Sequence, residues 1–565
     1  MMNDLNVAKR MARMMKPLMA TEIKAAACGS AQHLCASTGL VTAVLALFSY
    51  ASSGNDAMTR AYAAAAAVMI LLRGFLAYGE QLFNHDMAFT VLRDIRMRAF
   101  DAMRELAPAA MRGKGRGNLV SVLMQDIELL EIFYAHTLSP MVIAAITYII
   151  GSAVIATLSP WLAIAALVLY AVIAAIIPLA LAPLAQGPSM QARDMQGEAH
   201  SLILESVDGR STLDFFEALG ATESRLDAAT RRLTHACAVS RRAIERNAEI
   251  SRTAALAAIG AFGILSYALA SRGVIATGAA AAAFAGFVAS LPAFVSVSRL
   301  GTYIQPTFAA ARRIFAILDE KPTVPDNENG ELIDDFHEAV MTDVSFAYTP
   351  DAPVLRAANM TVVSGRVIAI SGPNGAGKST LIDMLMRFRD CDDGRISFNG
   401  IPIRRIRTSA LRSVETLASQ DTYIFSSSLR DNIAVANRQA SSERIQEACE
   451  TADLGDVVAR WPDGLDHVLQ ENGRELSDGE KQRIAIARVL ASGARLVLFD
   501  EPTSNMDALL EGRIMHALIE KQNGRTYVIV SHRKAILQYC DEIYTMTGAG
   551  LSRQTFGPDD DIRHG

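Results

Sequence analysis

The sequence predicts two domains, an α-helical domain that spans a membrane six times and a soluble α/β domain after it. Three observations lead to this fold class. Of 565 residues, 51% are hydrophobic and 20% are charged, and the mean hydropathy is +0.21. Long runs free of charged residues lie within the first 300 positions, and apolar strands alternate with helices after residue 335. This balance is typical of a membrane part joined to a soluble part.

Composition excludes several classes of protein. The net charge of -5 and the pI near 6.1 give no basic field for non-specific nucleic-acid binding. The six cysteines are scattered without a CxxC pair or a Cys/His cluster, so we expect reduced thiols and neither a disulfide framework nor a cysteine-bound metal. Residues 1–24 lack the pattern of a cleaved signal peptide. Within them, Ala8 to Met19 mixes basic and apolar residues, which predicts a helix in the membrane interface, with a plain cytosolic tail as the alternative.

Charge-free runs locate six spans within residues 25–312, because a helix needs about 20 residues to cross a hydrocarbon core about 30 Å thick. The run from Ile132 to Ala192 is long enough for two helices that meet at a turn, Leu158 to Trp161. A weaker span is Ala61 to Leu72, extended by Gly74 to Gly79 beyond Arg73. The others are Ala25 to Asn55, Thr253 to Ser271 and Gly273 to Ser298.

The distribution of Lys and Arg predicts the orientation. The connection between spans 4 and 5 holds nine arginines from Arg193 to Arg252, and the connection between spans 2 and 3 is also basic. Both should face the cytosol, which places both termini and the soluble domain there and makes the chain a multi-pass protein of the plasma (inner) membrane. These two connections keep a helical spacing of apolar residues, so we expect the membrane helices to continue into the cytosol as helical hairpins.

A polar linker, residues 313–335, precedes the soluble domain of residues 336–565. There the apolar strand Val367 to Ser371 leads into the motif G-x-x-x-x-G-K-[ST] and then a helix. In such a loop, glycines turn backbone N–H groups toward phosphate oxygens, the lysine neutralises phosphate charge and the first hydroxyl binds Mg²⁺. The predicted phosphate-binding residues are Gly372, Pro373, Asn374, Gly375, Ala376, Gly377, Lys378, Ser379 and Thr380.

A second apolar strand, Leu496 to Phe499, ends in two acidic residues. An aspartate at the tip of a strand beside the phosphate loop suits Mg²⁺, so Asp500 is the predicted metal ligand with Ser379. Glu501 is then placed to polarise the water that attacks the phosphate. The two motifs together predict an ATP-hydrolysing site.

These motifs resemble those of the ATP-binding cassette (ABC) family, and the resemblance spans the chain, including six helices fused to one nucleotide-binding domain. It implies that Tyr348 stacks on adenine, that Gln420 contacts the metal and links the catalytic site to the membrane helices, and that His532 contacts the γ-phosphate as a catalytic switch. It also implies that two cassettes close head to tail, each signature segment capping the ATP of the other chain. Here the signature supplies Ser477, Gly479 and Glu480, and the D-loop is Ser504 to Asp507.

The signature departs from the family pattern, since LSGGQ is replaced by LSDGE, Leu476 to Glu480. Asp478 and Glu480 bring two negative charges near a polyanion. We expect a weakened capping contact unless both side chains point away.

The second span is similar to that of CydC-type subunits, one half of CydDC thiol exporters. The similarity lies in the polar residues from Arg73 to Phe89, which include Glu80 and His85. It implies a heterodimer with a CydD-like chain, export of cysteine or glutathione in support of cytochrome bd assembly, and haem binding with His85 as ligand or gate. An Arg73–Glu80 pair and a solute contact remain alternatives, as does a general lipid or drug exporter. A non-transporting ATPase is disfavoured by the six spans.

Overall fold

The computed structural model describes residues 4–108, 116–298, 300–349 and 351–554. It comprises two compact units. The first contains Met1–Met103 and Lys114–Glu320, and the second contains Arg104–Gly113 and Lys321–Gly565.

The first unit is helical. Its α-helices are α1 (Asp4–Met14), α2 (Met19–Ser53), α3 (Ala57–Leu106, whose end belongs to the second unit), α4 (Arg116–Ser121), α5 (Ile127–Leu129), α6 (Glu131–Phe133), α7 (Ser139–Leu158), α8 (Pro160–Ala171), α9 (Ile177–Asp208), α10 (Arg210–Phe215), α11 (Leu219–Ser271), α12 (Thr277–Ser298) and α13 (Leu300–Asp319). Single π-helical turns, Val122–Asp126, Tyr134–Leu138 and Val172–Ile176, join some of them, and a 3₁₀ turn, Lys16–Leu18, joins α1 to α2.

Five helices of the described residues are long and apolar enough to cross a membrane: Lys16–Ser53, Ala57–Leu106, Leu119–Leu158, Leu219–Ser271 and Thr277–Val295. The predicted fourth span corresponds to a shorter apolar helix, Pro160–Ile176, which continues through a π-helical turn into α9. The turn before it lies where the sequence predicted it, because Ser159 leaves the helical region and its hydroxyl caps the next helix by accepting from the Leu162 N–H at 3.5 Å.

The two connections predicted to be cytosolic are helical, as the apolar spacing predicted. α3 has 50 residues and α11 has 53. At 1.5 Å per residue each is about 75 to 80 Å long, more than twice the hydrocarbon thickness. The first long helix ends at Leu106, and its last residues, from Arg104 onward, group with the second unit. The first predicted cytosolic tip, between Met103 and Asp126, includes residues 109–115, which lie outside the described residues.

The N-terminal helix α1 differs from the predicted Ala8 to Met19. It begins at Asp4 and ends at Met14, and its apolar residues Val7 and Met11 are fully buried within the first unit. Two ion pairs hold it against α13, Arg10 with Asp319 at 2.5 Å and Asp4 with Arg312 at 2.6 Å. The apolar face of α1 therefore packs on protein, and the placement of α1 in a membrane interface stays a prediction.

The helix α13 continues to Asp319, past Arg312 and Arg313 where the sequence predicted the linker to begin. Its charged residues find partners within the same unit. Arg313 donates two hydrogen bonds, at 2.6 and 2.5 Å, to the buried carboxylate of Asp126. Because of these ion pairs, α13 extends to Asp319 through charged residues that the sequence assigned to the linker.

The second unit is an α/β domain. Its strands are β1 (Glu338–Thr349), β2 (Ala352–Val363), β3 (Val367–Ser371), β4 (Asp393–Phe398), β5 (Ile401–Pro402), β6 (Glu415–Ala418), β7 (Leu496–Asp500), β8 (Thr526–Val530), β9 (Glu542–Thr547) and β10 (Gly550–Gln554). Its helices are α14 (Lys378–Leu385), α15 (Thr408–Val414), α16 (Leu429–Ala434), α17 (Ser442–Thr451), α18 (Gly455–Val458), α19 (Asp478–Ser492), α20 (Ala508–Glu520) and α21 (Lys534–Leu537).

Two sheets organise this unit. A four-stranded antiparallel sheet has the order β2-β1-β4-β5, and a six-stranded sheet has the order β10-β9-β3-β8-β7-β6. The strands from β9 to β6 are parallel, so β3, β8, β7 and β6 end at one edge of the sheet. This edge is where α/β proteins bind ligands, and the predicted phosphate, metal and switch residues all follow these strands.

Candidate functional site

The phosphate loop has the predicted strand, loop and helix around it, with β3 before and α14 after. Gly372 and Gly377 adopt φ values of +146° and +100°. At Gly372 a Cβ atom would lie 2.7 Å from the carbonyl oxygen of Met546 on β9. The loop therefore needs glycine for its conformation and for its close approach to the neighbouring strand.

Lys378 is the first residue of α14 and its side chain is buried. Its ammonium group donates hydrogen bonds to the carbonyl oxygens of Gly372 and Pro373, both at 3.0 Å. The cation therefore lies across the mouth of the loop, at the positive end of the α14 dipole, where a phosphate would replace the two carbonyl partners.

Asp500 ends β7 beside this loop. Burial raises the pKa of its carboxyl, the charges of Glu501 and Asp383 act in the same direction, and the Ser379 hydroxyl and Lys378 act against them. A hydroxyl and a carboxylate are oxygen ligands of the kind that Mg²⁺ takes together with phosphate and water. Among the described residues no group of three or more His, Cys, Asp or Glu side chains could hold a metal ion.

Glu501 and His532 meet at the same sheet edge. The Nδ1 atom of His532 lies 3.6 Å from Oε1 of Glu501. Glu501 has a φ of +50°, a left-handed conformation that is uncommon for glutamate, and its N–H donates to the carbonyl of Val530 at 3.1 Å. Backbone strain of this kind occurs where side-chain direction matters for function.

Tyr348 lies near the end of β1 with its ring half exposed. Its hydroxyl is 3.0 Å from the hydroxyl of Thr380 in α14. The guanidinium carbon of Arg389 lies 4.8 Å from the centre of the ring. One face of the aromatic is therefore covered by a cation, a contact that no sequence motif indicated.

Gln420 follows β6 by two residues and its side chain is exposed. Because β6 pairs in parallel with β7, Gln420 belongs to the same sheet edge as Asp500 and Glu501. Its predicted contact with a metal or with membrane helices stays a prediction.

The signature segment caps the helix α19. The Ser477 hydroxyl accepts from the Glu480 N–H at 3.3 Å, and the Glu480 carboxylate accepts from the Ser477 N–H at 2.8 Å, which is a capping box. The Glu480 carboxylate also pairs with Arg460. Burial favours the protonated form, but Arg460 and Ser477 outweigh it and lower the pKa of Glu480.

Glu480 therefore points back into its own domain, and its charge is neutralised there. This differs from the expected role of Glu480 at the nucleotide. The side chain of Asp478 is 78% exposed and lies 3.8 Å from Lys481. Of the two negative charges that the sequence placed near the phosphate, Asp478 is the one presented at the surface.

The polar residues of the second span make separate contacts. The Glu80 carboxylate accepts from the Gln32 amide of α2, whereas Arg73 is exposed. His85 lies 3.6 Å from the Glu131 carboxylate, and its ring packs against His136 and Phe89. Nδ1 of His85 is buried without a hydrogen-bond partner among the described residues.

Comparison with known proteins agrees with these features. The family model "ABC transporter" matches residues 355–504, and "ABC transporter transmembrane region" matches residues 35–290. A probable ABC transporter ATP-binding/permease protein of Haemophilus influenzae is 33% identical over 86% of this chain and 88% of its own length. The glutathione/L-cysteine transport system ATP-binding/permease protein CydC of Escherichia coli is 29% identical over 84% of this chain and 83% of its own length.

A solved structure shares the fold. A bacterial Atm1-family ABC exporter with ATP bound has a TM-score of 0.80 at 21% identity, covering 95% of this chain and 94% of its own. The chain belongs to the ABC transporter family, as an exporter half-transporter in which a helical membrane domain is fused to a domain that binds and hydrolyses ATP to drive transport.

Proposed function

We propose that this chain is one half of a heterodimeric exporter that moves a small thiol, cysteine or glutathione, out of the cytosol in support of cytochrome bd assembly. The observation that carries the proposal is the extent of the similarity to CydC, which covers 84% of the chain. An ATP-dependent lipid A-core flippase of Syntrophus aciditrophicus is 35% identical over only 44% of the chain. A lipid or drug exporter is therefore the second candidate.

The membrane unit offers polar groups suited to a small zwitterionic solute. Glu80 and Glu22 are buried carboxylates, held by Gln32 of α2 and by Ser139 of α7 respectively. Buried acidic groups in a membrane domain are costly and mark pathways for polar solutes. Such groups are suited to the amino group of an amino acid or peptide rather than to an acyl chain.

Pairing with a second half-transporter is supported by the predicted cytosolic tip between Glu205 and Thr222. Its residues Phe215 and Phe216 are 79% and 71% exposed. Two adjacent aromatics at a helix end form an apolar surface that a partner would cover. We propose that ATP closes the two cassettes and draws such tips together, with Gln420 near the contact.

In the ATPase cycle we assign one role to each residue of the sheet edge. Lys378 exchanges its two carbonyl partners for phosphate oxygens. Ser379 and Asp500 would hold a magnesium ion, which would neutralise charge on the phosphates. Glu501 orients and polarises the attacking water, and His532, 3.6 Å from it, contacts the γ-phosphate.

The test is transport into inverted membrane vesicles that contain the chain with its partner. We expect ATP-dependent uptake of labelled cysteine or glutathione, and no uptake with Glu501→Gln in this chain and the partner's site also disabled. Glu501→Gln should keep ATP binding while turnover falls by about 10² to 10⁴. Uptake of a fluorescent lipid instead of thiols would favour the second candidate, and near-normal turnover in the doubly disabled complex would refute the role of Glu501.

We further propose His85 as the residue that holds haem iron. The residues present fit one iron ligand, since the buried Nδ1 atom of His85 has no hydrogen-bond partner among the described residues. That atom lies 3.6 Å from the Glu131 carboxylate, and the ring packs against a second imidazole, His136. Purified wild type and His85→Ala are titrated with haemin, and we expect a weaker and altered Soret band in the variant. Identical spectra and affinities would remove His85 from this role.

A further inference from the structure

Arg533, the residue after His532, is bonded to the backbone of the D-loop. Its Nη2 donates to the carbonyl oxygen of Ser504 at 2.8 Å, and its Nη1 donates to that of Met506 at 3.3 Å. The same Nη1 pairs with the Glu511 carboxylate at 2.6 Å. One guanidinium thus ties the switch segment to two residues of the D-loop, Ser504 and Met506.

Glu511 anchors this guanidinium. It lies on α20, is only 3% exposed, and also accepts from the Thr503 hydroxyl at 2.7 Å. A buried carboxylate is stable only with a close charged or hydrogen-bonding partner. Arg533 and Thr503 supply these, and Thr503 directly precedes the D-loop.

The opposite side of the D-loop contacts the signature helix α19. The amide of the buried Gln482 donates to the Ser504 hydroxyl at 2.7 Å and accepts from the Asn505 N–H at 3.1 Å. A Cβ atom on Gly479 would lie 2.8 Å from the Asn505 carbonyl oxygen. The signature therefore packs on the D-loop without a gap.

The D-loop is also continuous with the catalytic residue. The N–H of Ser504 donates to the Glu501 carbonyl at 3.3 Å. One short segment, residues 501–506, is thereby in contact with the water-polarising residue, with the segment that carries His532, and with the helix that begins at the signature.

We propose that Arg533 and Glu511 are positioning residues that fix the D-loop, so that the state of the ATP site containing His532 is transmitted to the signature helix α19. The proposal rests on the roles assigned above to Glu501, His532 and the signature. We assign Arg533 no direct role at the nucleotide or at the attacking water. It acts by holding two carbonyl groups whose displacement would move both Glu501 and α19.

The experiment uses the full-length chain purified with its partner. Arg533→Gln and Glu511→Gln should each lower kcat for ATP about tenfold to a hundredfold, as expected for misplaced catalytic groups, while KM stays within about twofold. Arg533→Lys keeps the ion pair with Glu511 but cannot donate to both D-loop carbonyl groups as the guanidinium does. Its kcat should therefore lie between those of Arg533→Gln and the wild type. The double variant should be no worse than either single one.

Arg513→Gln is the matched control. Arg513 lies on α20, as Glu511 does, and forms an exposed ion pair with Asp453 at 2.7 Å. This variant should leave kcat and KM unchanged. Unchanged kcat in Arg533→Gln would overturn the proposal. So would a loss of kcat accompanied by an equal rise in KM and a lower melting temperature, since this would show a structural role only. If Arg533→Gln does not fold, Arg533→Lys and Glu511→Gln decide by the same criteria.

A second arm tests transmission to α19. With Glu501→Gln in this chain, the remaining turnover belongs to the site that this chain's signature caps. Adding Arg533→Gln should lower that remaining turnover again, by about tenfold. No further loss would overturn transmission. Failure of the proposed function would give a different result. In a complex whose partner site is already disabled, Glu501→Gln would then leave ATP turnover unchanged.

Discussion

Glu415 is a charged residue at a position that the fold makes apolar. It is the first residue of β6, it is 2% exposed, and one carboxylate oxygen has no hydrogen-bond partner among the described residues. Burial raises its pKa from the ordinary 4.5 to about 8, although the adjacent Arg412 acts to lower it. The strand that leads to Gln420 thus begins with a carboxyl that holds its proton near neutral pH.

This pKa predicts how stability depends on pH. Between about 4.5 and 8 the folded domain holds the Glu415 proton and the unfolded chain has lost it, so stability falls as pH rises through this window. Relative to Glu415→Gln, the free energy of unfolding of the wild type should fall by at most about 1.4 kcal/mol for each pH unit in this window. Denaturation of the full chain in detergent, followed by Trp461 fluorescence in a Trp161→Phe background, measures this.

Glu447→Gln is the control for that experiment, because Glu447 is exposed on α17. It should show the same pH dependence as the wild type. A parallel pH dependence for wild type and Glu415→Gln would mean that Glu415 ionises normally in the folded domain.

Among the elements, α19 determines how the altered signature meets a phosphate. Its capping box turns Glu480 inward toward Arg460, whereas Asp478, in the first turn, stays exposed. An acidic residue there stabilises the helix by about 0.3 to 1 kcal/mol through the helix dipole, but it repels a polyanion held above the same N-terminus. One of the two substitutions in the signature is therefore neutralised by the fold.

We predict from this that the two ATP sites differ, with the site formed by this chain's phosphate loop the more active. Asp478→Gly removes the exposed charge and should raise total ATPase activity or leave it unchanged, as measured with the partner present. Asp478→Asn separates charge from backbone effects and should behave in the same way. A large loss of ATPase activity in both variants would show that the transporter needs the Asp478 side chain for ATP hydrolysis.

How well an element could be predicted depends on the range of the forces that define it. The strand Val367–Ser371, the phosphate loop and the turn before Pro160 are determined by neighbours in sequence, and the sequence predicted their positions. The extents of α1 and α13 depend on the pair between Arg10 and Asp319, which are 309 residues apart. The inward turn of Glu480 likewise depends on Arg460, which no spacing pattern indicates.

Across the whole molecule, the long helices bear on the predicted orientation. Cys237 is an exposed cysteine of α11, 34 residues before Ser271 where that helix ends. It therefore lies about 50 Å along the helix from this end, beyond the hydrocarbon core of about 30 Å. The positive residues around it predict that this part of α11 is in the cytosol.

A membrane-impermeant maleimide tests this orientation. Cys237 should react in inverted vesicles and stay unlabelled in intact cells, because the other cysteines of the chain are buried or half-buried and contribute little signal. In a Cys237→Ala background, Ser53→Cys at the end of α2 should show the opposite pattern. The short connection from Ser52 to Thr59 joins the first two predicted spans, so it should face the side opposite to the two basic connections. Labelling of Cys237 from outside intact cells would reverse the predicted topology and place the ATP site on the wrong side of the membrane for an exporter driven by cytosolic ATP.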